Sequence, residues 1–258
     1  MQREDRSVGG CIPNVTCPRT VTTYDGAHQT AQEMHFAAGG GPPSQIVAHM
    51  YDPMGRLVQR QAVSGTPLGE QFAYTGADQQ AVYTNALTSQ TRTYSYDALG
   101  NQVLACGPAP GACTGYLYDG PNVVAEYSSA TLTPVLKATY LFGQEIDAQV
   151  ARIDPTANTV HFYLRDALPT RQIIDQASAA VNDYEYEAFG KIFTQVTGLP
   201  NDILFAGRRL DPLSGLYEFR TRTYDPADGR FLQTDPIYQG VILAACSACW
   251  QNPLGCGR

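Results

Sequence analysis

Lysine is nearly absent from this chain of 258 residues: only Lys137 and Lys191 occur, and charged residues make up 16% of the sequence. With a formal net charge of −7, the chain lacks the basic face that a general nucleic-acid binder needs to neutralise phosphates. Nucleic acid is therefore not an expected partner. The scarcity of lysine and glutamate also disfavours long helices, because both residues are good helix formers.

Long apolar runs are missing as well. The longest, residues 241–246, is far shorter than the roughly 20 residues that cross a bilayer as a helix, so we expect no membrane span. Residues 1–6 are polar and charged, unlike the apolar core of a secretory signal. The motifs of zinc peptidases, serine hydrolases and phosphate-binding loops are absent, and the four histidines are isolated from one another. We expect neither a metal nor a cofactor.

Turn-forming residues and tyrosine, in contrast, are abundant. The chain contains 24 glycines, 17 prolines and 16 tyrosines. Glycine and proline interrupt regular structure, whereas tyrosine and threonine suit a pleated, half-buried surface. The composition predicts an all-β fold made of antiparallel strands and hairpins.

A tyrosine–acid–turn–glycine module recurs along the chain. Residues 51–58 match residues 96–103, and residues 186–193 repeat the pattern with glutamate in place of aspartate. Aspartate at the first turn position accepts hydrogen bonds from the backbone amides that follow, and glycine supplies the positive φ that closes the turn. Residues 211–215 and 225–229 have the same turn pattern from aspartate to glycine, with one extra residue between the two. The irregular spacing favours a curved or spiralling sheet of hairpins.

The modules define a set of turn residues and the strands between them. The turn residues are Tyr51, Asp52, Gly55, Tyr96, Asp97, Gly100, Tyr186, Gly190, Asp211, Gly215, Tyr224 and Gly229. Between the two longer modules, residues 217–224 alternate in character, which predicts one strand with two chemically different faces. Residues 91–96 and 159–164 are predicted to be strands too.

Seven cysteines fall in three local groups. Cys106 and Cys113 enclose a loop rich in glycine and proline, and we predict that a disulfide staples this loop, which implies an oxidising compartment. A zinc site at Cys246, Cys249 and Cys256 would lack both a second cysteine pair and a histidine that follows. The odd count leaves at least one thiol free.

The order of these units resembles the RHS repeat-associated core of proteins with tyrosine–aspartate (YD) repeats, a family of polymorphic toxin shells. The resemblance is densest over residues 160–237, where Tyr-Glu-Ala-Phe-Gly, Phe-Ala-Gly-Arg, Gly-Arg-Phe-Leu and Asp-Pro-Ile follow one another. Pro169 stands where the family usually has glycine. We divide the chain into a poorly specified N-terminal segment (1–20), a YD-repeat β region (21–145), the core (146–238) and a tail without a recognisable toxin domain (239–258).

The resemblance implies a structural role in an antiparallel β-shell that encapsulates or presents a C-terminal toxin. The implied partners are the toxin polypeptide and the remaining shell, and the implied location is secreted or at the cell surface. An alternative is a cell-surface carbohydrate-binding module, in which exposed tyrosines stack on sugar rings of glycans.

A second alternative is self-cleavage. Many members of this family resemble aspartic peptidases that cut themselves after the core, and two nearby carboxylates suit that chemistry because they share one proton. Asp235 stands at the position of the first carboxylate, and Asp225 or Asp228 is the candidate partner because no acidic residue follows Asp235. The glycine expected soon after Asp235 is displaced to Gly240. We therefore expect no enzyme activity.

Overall fold

The fold is known from a computed structural model that describes residues 2–6, 18–27, 29–39, 41–109, 112–128, 133–144, 147–166 and 169–235. Over these residues the protein is all-β, as predicted, and the only helical element is a three-residue 3-10 turn at Phe205–Gly207. No helix in this part of the chain is long and apolar enough to cross a membrane. The predicted tail at 239–258, with the cysteines at 246, 249 and 256, lies outside the described residues.

The chain forms two compact units built from interleaved segments. The first comprises residues 1–73, 83–90 and 232–258, and the second comprises residues 74–82 and 91–231. The division into four segments at residues 20, 145 and 238 stays a prediction.

The first unit is a ladder of antiparallel strands paired in chain order, from β1 through β6. A buried polar triad ties it together: Glu70 accepts hydrogen bonds from Arg60 Nε at 2.6 Å and from the Tyr83 hydroxyl at 2.9 Å. The Leu57 amide donates to the Leu232 carbonyl at 3.0 Å, which fixes residues 232–235 on this unit. The strands are β1 (Gln2–Arg6), β2 (Arg19–Tyr24), β3 (Thr30–Phe36), β4 (Gln45–Tyr51), β5 (Leu57–Ser64), β6 (Gly69–Tyr74) and, ending in this unit, β7 (Gln80–Asn85).

The second unit contains a longer ladder, which we call the strip. Each of its strands pairs in antiparallel with the next along the chain, so every connection is a hairpin. The strands of the strip are β8 (Gln90–Tyr96), β9 (Gln102–Cys106), β10 (Cys113–Asp119), β11 (Asn122–Ser128), β12 (Val135–Phe142), β13 (Gln149–Asp154), β14 (Thr159–Arg165), β15 (Thr170–Ile174), β16 (Ala180–Tyr186) and β17 (Ile192–Thr197).

A separate four-stranded sheet completes the second unit, and we call residues 203–231 the C-terminal module. It begins with the 3-10 turn and continues as short antiparallel strands in chain order. These are β18 (Arg209–Leu210), β19 (Tyr217–Phe219), β20 (Arg222–Asp225) and β21 (Arg230–Phe231). Such short strands cannot bury a core of their own, so they depend on packing against another element.

The turn at residues 97–100 shows why the modules reverse the chain. Asp97 Oδ1 accepts hydrogen bonds from the amides of Leu99 at 2.9 Å and Asn101 at 2.8 Å. The Gly100 amide donates to the Asp97 carbonyl at 3.1 Å, and Gly100 takes the left-handed conformation with φ of 88°. The side chain thus satisfies amides that strand pairing leaves open, and the glycine accepts a conformation that costs other residues energy.

Residues 217–224 do not form the single strand that their alternation predicts. They fold into the β19–β20 hairpin, in which Tyr217 pairs with Tyr224. The reversal occurs at Arg220, which adopts φ of 60°, and no glycine, proline or asparagine marks it in the sequence. Arg220 is held by a tertiary contact instead, because its Nη2 lies 3.3 Å from the Asp147 carboxylate.

Candidate functional site: the seat of the C-terminal module

The C-terminal module packs on the buried aromatic face of the strip, and we call this region of contact the seat. Tyr140, Tyr163, Ile173 and Tyr184 project from four strands of the strip into one cluster with module residues. The module contributes Ile203, Leu204 and Tyr217, and these side chains are at most 3% exposed. Burying this apolar surface is the main source of affinity between the two elements, since each fully buried large side chain contributes about 1.5–3 kcal/mol.

Phe205 is the wedge at the centre of this interface. Its ring lies 6.2 Å from that of Tyr186 on the strip and 6.1 Å from that of Tyr217. It stacks on Tyr224 with centroids 6.5 Å apart and an interplanar angle of 12°. Aromatic pairs in these ranges add attraction beyond the area that they bury.

The turn at residues 187–190 receives the module through hydrogen bonds. The Tyr217 hydroxyl donates to the Gly190 carbonyl at 3.0 Å, and the Tyr224 hydroxyl donates to the Phe189 carbonyl at 3.1 Å. Burial raises the pKa of Tyr224 to about 12, so this phenol remains a donor at ordinary pH. A Cβ on Gly190 would stand 2.4 Å from the ring of Phe205, so glycine alone permits this approach.

Arg209 anchors the start of β18. Its guanidinium lies 3.5 Å from the ring centroid of Tyr116, and its Nη2 donates to the Tyr118 hydroxyl at 3.1 Å. The opposite charge comes from Glu218, whose Oε2 lies 3.6 Å from Arg209 Nη2. A planar, weakly hydrated guanidinium suits such a stacked and buried position better than an ammonium does.

Three further ion pairs join the module to the strip. Arg92 Nε on β8 lies 2.6 Å from the Asp211 carboxylate. Asp147, before β13, binds Arg208 and also Arg220, the latter at 3.3 Å. Both carboxylates are largely buried, so these pairs are less screened than surface pairs and fix where the module sits.

Asp202 lies on the connection that leads into the module and lines a cavity of about 30 Å³ beside Arg209 and Tyr116. Burial, and secondly the nearby Glu126, raise the pKa of the Asp202 carboxyl to about 7, while Arg209 and Arg152 act in the opposite direction. Buried Glu126 Oε1, Arg152 Nε and Arg209 Nη1 have no hydrogen-bond partner within the described residues.

Tyrosines of the modules tie successive hairpins together. The hydroxyl of each donates to a backbone carbonyl 16 positions earlier: Tyr96 to Gln80 at 2.8 Å, Tyr118 to Gln102 at 3.1 Å and Tyr186 to Thr170 at 2.8 Å. The tyrosine ring thus packs across the strand pair while its hydroxyl replaces water at a carbonyl.

The predicted turn residues lie at hairpin ends of both units. Asp52 Oδ1 accepts from the amides of Met54 and Arg56, and Asp211 Oδ1 accepts from Leu213. Tyr51 and Gly55 flank the first of these turns, and Gly215 closes the second. Gly229 follows β20, and its lack of a side chain leaves room for the Phe189 ring.

The candidate peptidase carboxylates lie in different units. Asp225 belongs to the second unit, is 2% exposed, and its Oδ1 accepts from the Ala227 amide at 2.8 Å. Asp235 belongs to the first unit, in the segment that follows Leu232. An autoproteolytic role for either stays a prediction.

Two turns were not predicted from the sequence because neither has glycine at its last position. Thr75 Oγ1 accepts from the Ala77 and Gln79 amides, and Asp78 takes the left-handed position with φ of 63°. Asp175 caps a second turn, in which Ser178 has φ of 65°. A search that admits aspartate or serine in place of the glycine would find both.

Cys106 and Cys113 form a disulfide. They stand directly opposite one another on β9 and β10, so the bond staples the ends of a hairpin that strand pairing already brings together. Closing the loop also limits the freedom of the unfolded chain.

The all-β fold of this chain is similar to that of RHS-containing chains in solved structures of toxin complexes. It matches a chain in the crystal structure of TcdB2-TccC3 without the hypervariable C-terminal region, with a TM-score of 0.53 and 16% identity over 85% of this chain and 14% of that one. A chain in the TcdB2-TccC3-Cdc42 structure gives a TM-score of 0.51 at 15% identity, again over 85% of this chain and 14% of that chain.

Curated relatives include toxins and nucleases. Double-stranded DNA deaminase toxin A of Burkholderia cenocepacia is 27% identical over 216 residues, which is 72% of this chain and 15% of that protein. The tRNA3(Ser)-specific nuclease WapA of Bacillus spizizenii is 27% identical over 147 residues, which is 56% of this chain and 6% of that protein. The chain therefore spans a small part of the relatives that it matches. No family model matches the chain.

Proposed function

We propose that this chain is a structural segment of an RHS-type shell that encloses or presents a toxin polypeptide outside the producing cell. The observation that carries the proposal is the seat: an aromatic wedge, two tyrosine hydroxyls, a stacked arginine and two buried ion pairs hold the module on the strip. Such an arrangement fixes the position of the module on the strip. Its partners are the remaining shell and the toxin.

The placement of three tyrosines excludes them from the alternative glycan-binding role. Tyr83, Tyr184 and Tyr217 are at most 1% exposed, and their rings are engaged within the protein. A ring that is buried in the sheet has no face left on which a sugar can stack.

The shell proposal predicts protection of whatever follows the core. An epitope tag inserted after residue 258 of the full-length gene product should survive a protease that digests an exposed linker. Gly190→Ala should expose the tag because it removes the space that Phe205 occupies, whereas Gly100→Ala should leave the tag protected. Western blotting along a digestion time course measures this. Equal tag loss in the wild type and in Gly190→Ala would contradict the proposal.

We further propose that this chain does not cleave itself, since Asp225 is engaged in capping its own turn. The isolated chain should give a single species at 28.0 kDa by intact mass spectrometry after prolonged incubation from pH 4 to pH 8. Asp235→Asn is the control and should give the same spectrum. Release of a C-terminal fragment that this substitution abolishes would overturn the proposal.

A further inference from the structure

A second small cavity, which we call the seam cavity, lies between the strip and the C-terminal module within the second unit. Its volume is about 30 Å³, which is room for about two water molecules. The strip contributes Asn122 from the start of β11 and Gln149 from the start of β13 to its lining. The module contributes Arg209 from β18 and Arg220 from the reversal between β19 and β20.

Each of these four residues has a buried side-chain atom that no partner in the described part of the chain satisfies. The four atoms are Asn122 Oδ1, Gln149 Oε1, Arg209 Nη1 and Arg220 Nε. Gln149 is 7% exposed and Arg209 is 6% exposed, so bulk water does not surround them. A buried polar atom without a hydrogen bond is costly, and four of them around one cavity therefore indicate a ligand that completes their bonding.

The charged groups that line the seam cavity leave one positive charge in excess. They are the guanidinium groups of Arg208, Arg209 and Arg220 and the carboxylates of Asp147 and Glu218. Asp147 is shared, because it binds Arg208 and also lies 3.3 Å from Arg220 Nη2. Glu218 lies 3.6 Å from Arg209. The excess charge repels a cation, and a water molecule would leave it in place.

We propose that the seam cavity binds one small monovalent anion, either a halide ion or a carboxylate group, which joins the module to the strip. Arg209 Nη1 and Arg220 Nε donate to this anion from the module. The amides of Asn122 and Gln149 turn their NH₂ groups toward it by rotating half a turn, and neither oxygen gives up a hydrogen bond in doing so. Charge-assisted hydrogen bonds of this kind are the stronger ones in proteins.

An ion can enter the seam cavity on the side of Arg220, whose side chain is 40% exposed. Asp202 does not compete for the site, because it lines the other cavity beside Arg209. The inference goes beyond the proposed shell function and requires no cargo.

Bromide and formate are the probes for the two sources of this charge, a free halide and a carboxylate. Urea unfolding of the full chain, with its disulfide intact, is measured while either anion replaces gluconate, which is too large for the cavity, at constant ionic strength. The unfolding constant should fall by a factor of 1 + [anion]/Kd, which is about tenfold at ten times Kd. Tighter binding of formate assigns the site to a carboxylate, and tighter binding of bromide assigns it to a free halide.

Gln149→Glu is the decisive variant, because it keeps the length of the side chain and places a fixed negative charge in the cavity. It should abolish the specific response to both anions. Gln195→Glu, at an exposed position on β17, makes the same change in net charge and should respond like the wild type. Asn122→Asp takes the place of Gln149→Glu if that variant does not fold. Equal responses of the wild type and the cavity variant would overturn the proposal.

Diffraction at the bromine absorption edge, from a crystal soaked in bromide, locates the ion directly. We expect an anomalous peak within the seam cavity, in contact with Arg209 and Arg220. Electron density in the cavity without anomalous scattering would identify water there instead, and the proposal would then be wrong.

Discussion

Replacing Gly190 with alanine should destabilise the protein by about 2–5 kcal/mol and detach the C-terminal module. Two causes add at this position. The residue has φ of 89°, where a side chain costs about 1–2 kcal/mol, and the new Cβ would stand 2.4 Å from the Phe205 ring. Forcing extra volume into a packed core costs a further 1–3 kcal/mol or so. Urea denaturation of the purified chain measures the sum.

Gly100→Ala is the matched control for this substitution. Its φ of 88° is nearly the same, but a Cβ would meet the amide end of the Gln79 side chain at 3.1 Å and Thr221 Cγ2 at an ordinary contact distance of 3.8 Å. The cost there should stay near 1–2 kcal/mol, from the backbone alone. Equal losses in the two variants would mean that the Phe205 wedge contributes nothing to seating the module.

Arg209→Met should lower the free energy of unfolding by about 3–5 kcal/mol, because it removes a buried guanidinium and leaves the partly buried Glu218 carboxylate without its cation. The side chain is 6% exposed and stacks on Tyr116, so its truncation also removes a packed contact. The free energy of unfolding of Arg209→Lys should lie between the values for Arg209→Met and the wild type, since lysine restores the charge without the planar stack. The free energy of unfolding and near-ultraviolet circular dichroism of the tyrosines report the change.

An arginine outside the seat calibrates this result. The Arg171 side chain is 41% exposed, lies 4.0 Å from Glu185 and donates from Nη1 to the Tyr184 carbonyl at 2.6 Å, so Arg171→Met should lose only about 1–2 kcal/mol. If Arg209→Met is no worse than Arg171→Met, the guanidinium does not hold the module.

The sequence was sufficient to predict what depends on neighbouring residues. Asp97 and Gly100 specify a turn by their own chemistry, and the loop between Cys106 and Cys113 brings its ends together within eight residues. The all-β class follows from the same local signals repeated along the chain.

What depends on distant residues was not predictable from patterns. Arg220 reverses the chain because Asp147 binds it from 73 positions away, and Arg92 meets Asp211 across 119 positions. Asp202 has no motif around it, and its pKa arises from burial and from Glu126 on another strand. Such placements emerge only when the strip and the module come together.

The tyrosine hydroxyls that reach 16 positions back have a consequence for how the protein is made. Each anchor needs only the hairpin synthesised just before it, so the ladder can grow in the direction of translation without waiting for distant partners. Whole hairpins can then be gained or lost in evolution while the remaining anchors keep their spacing.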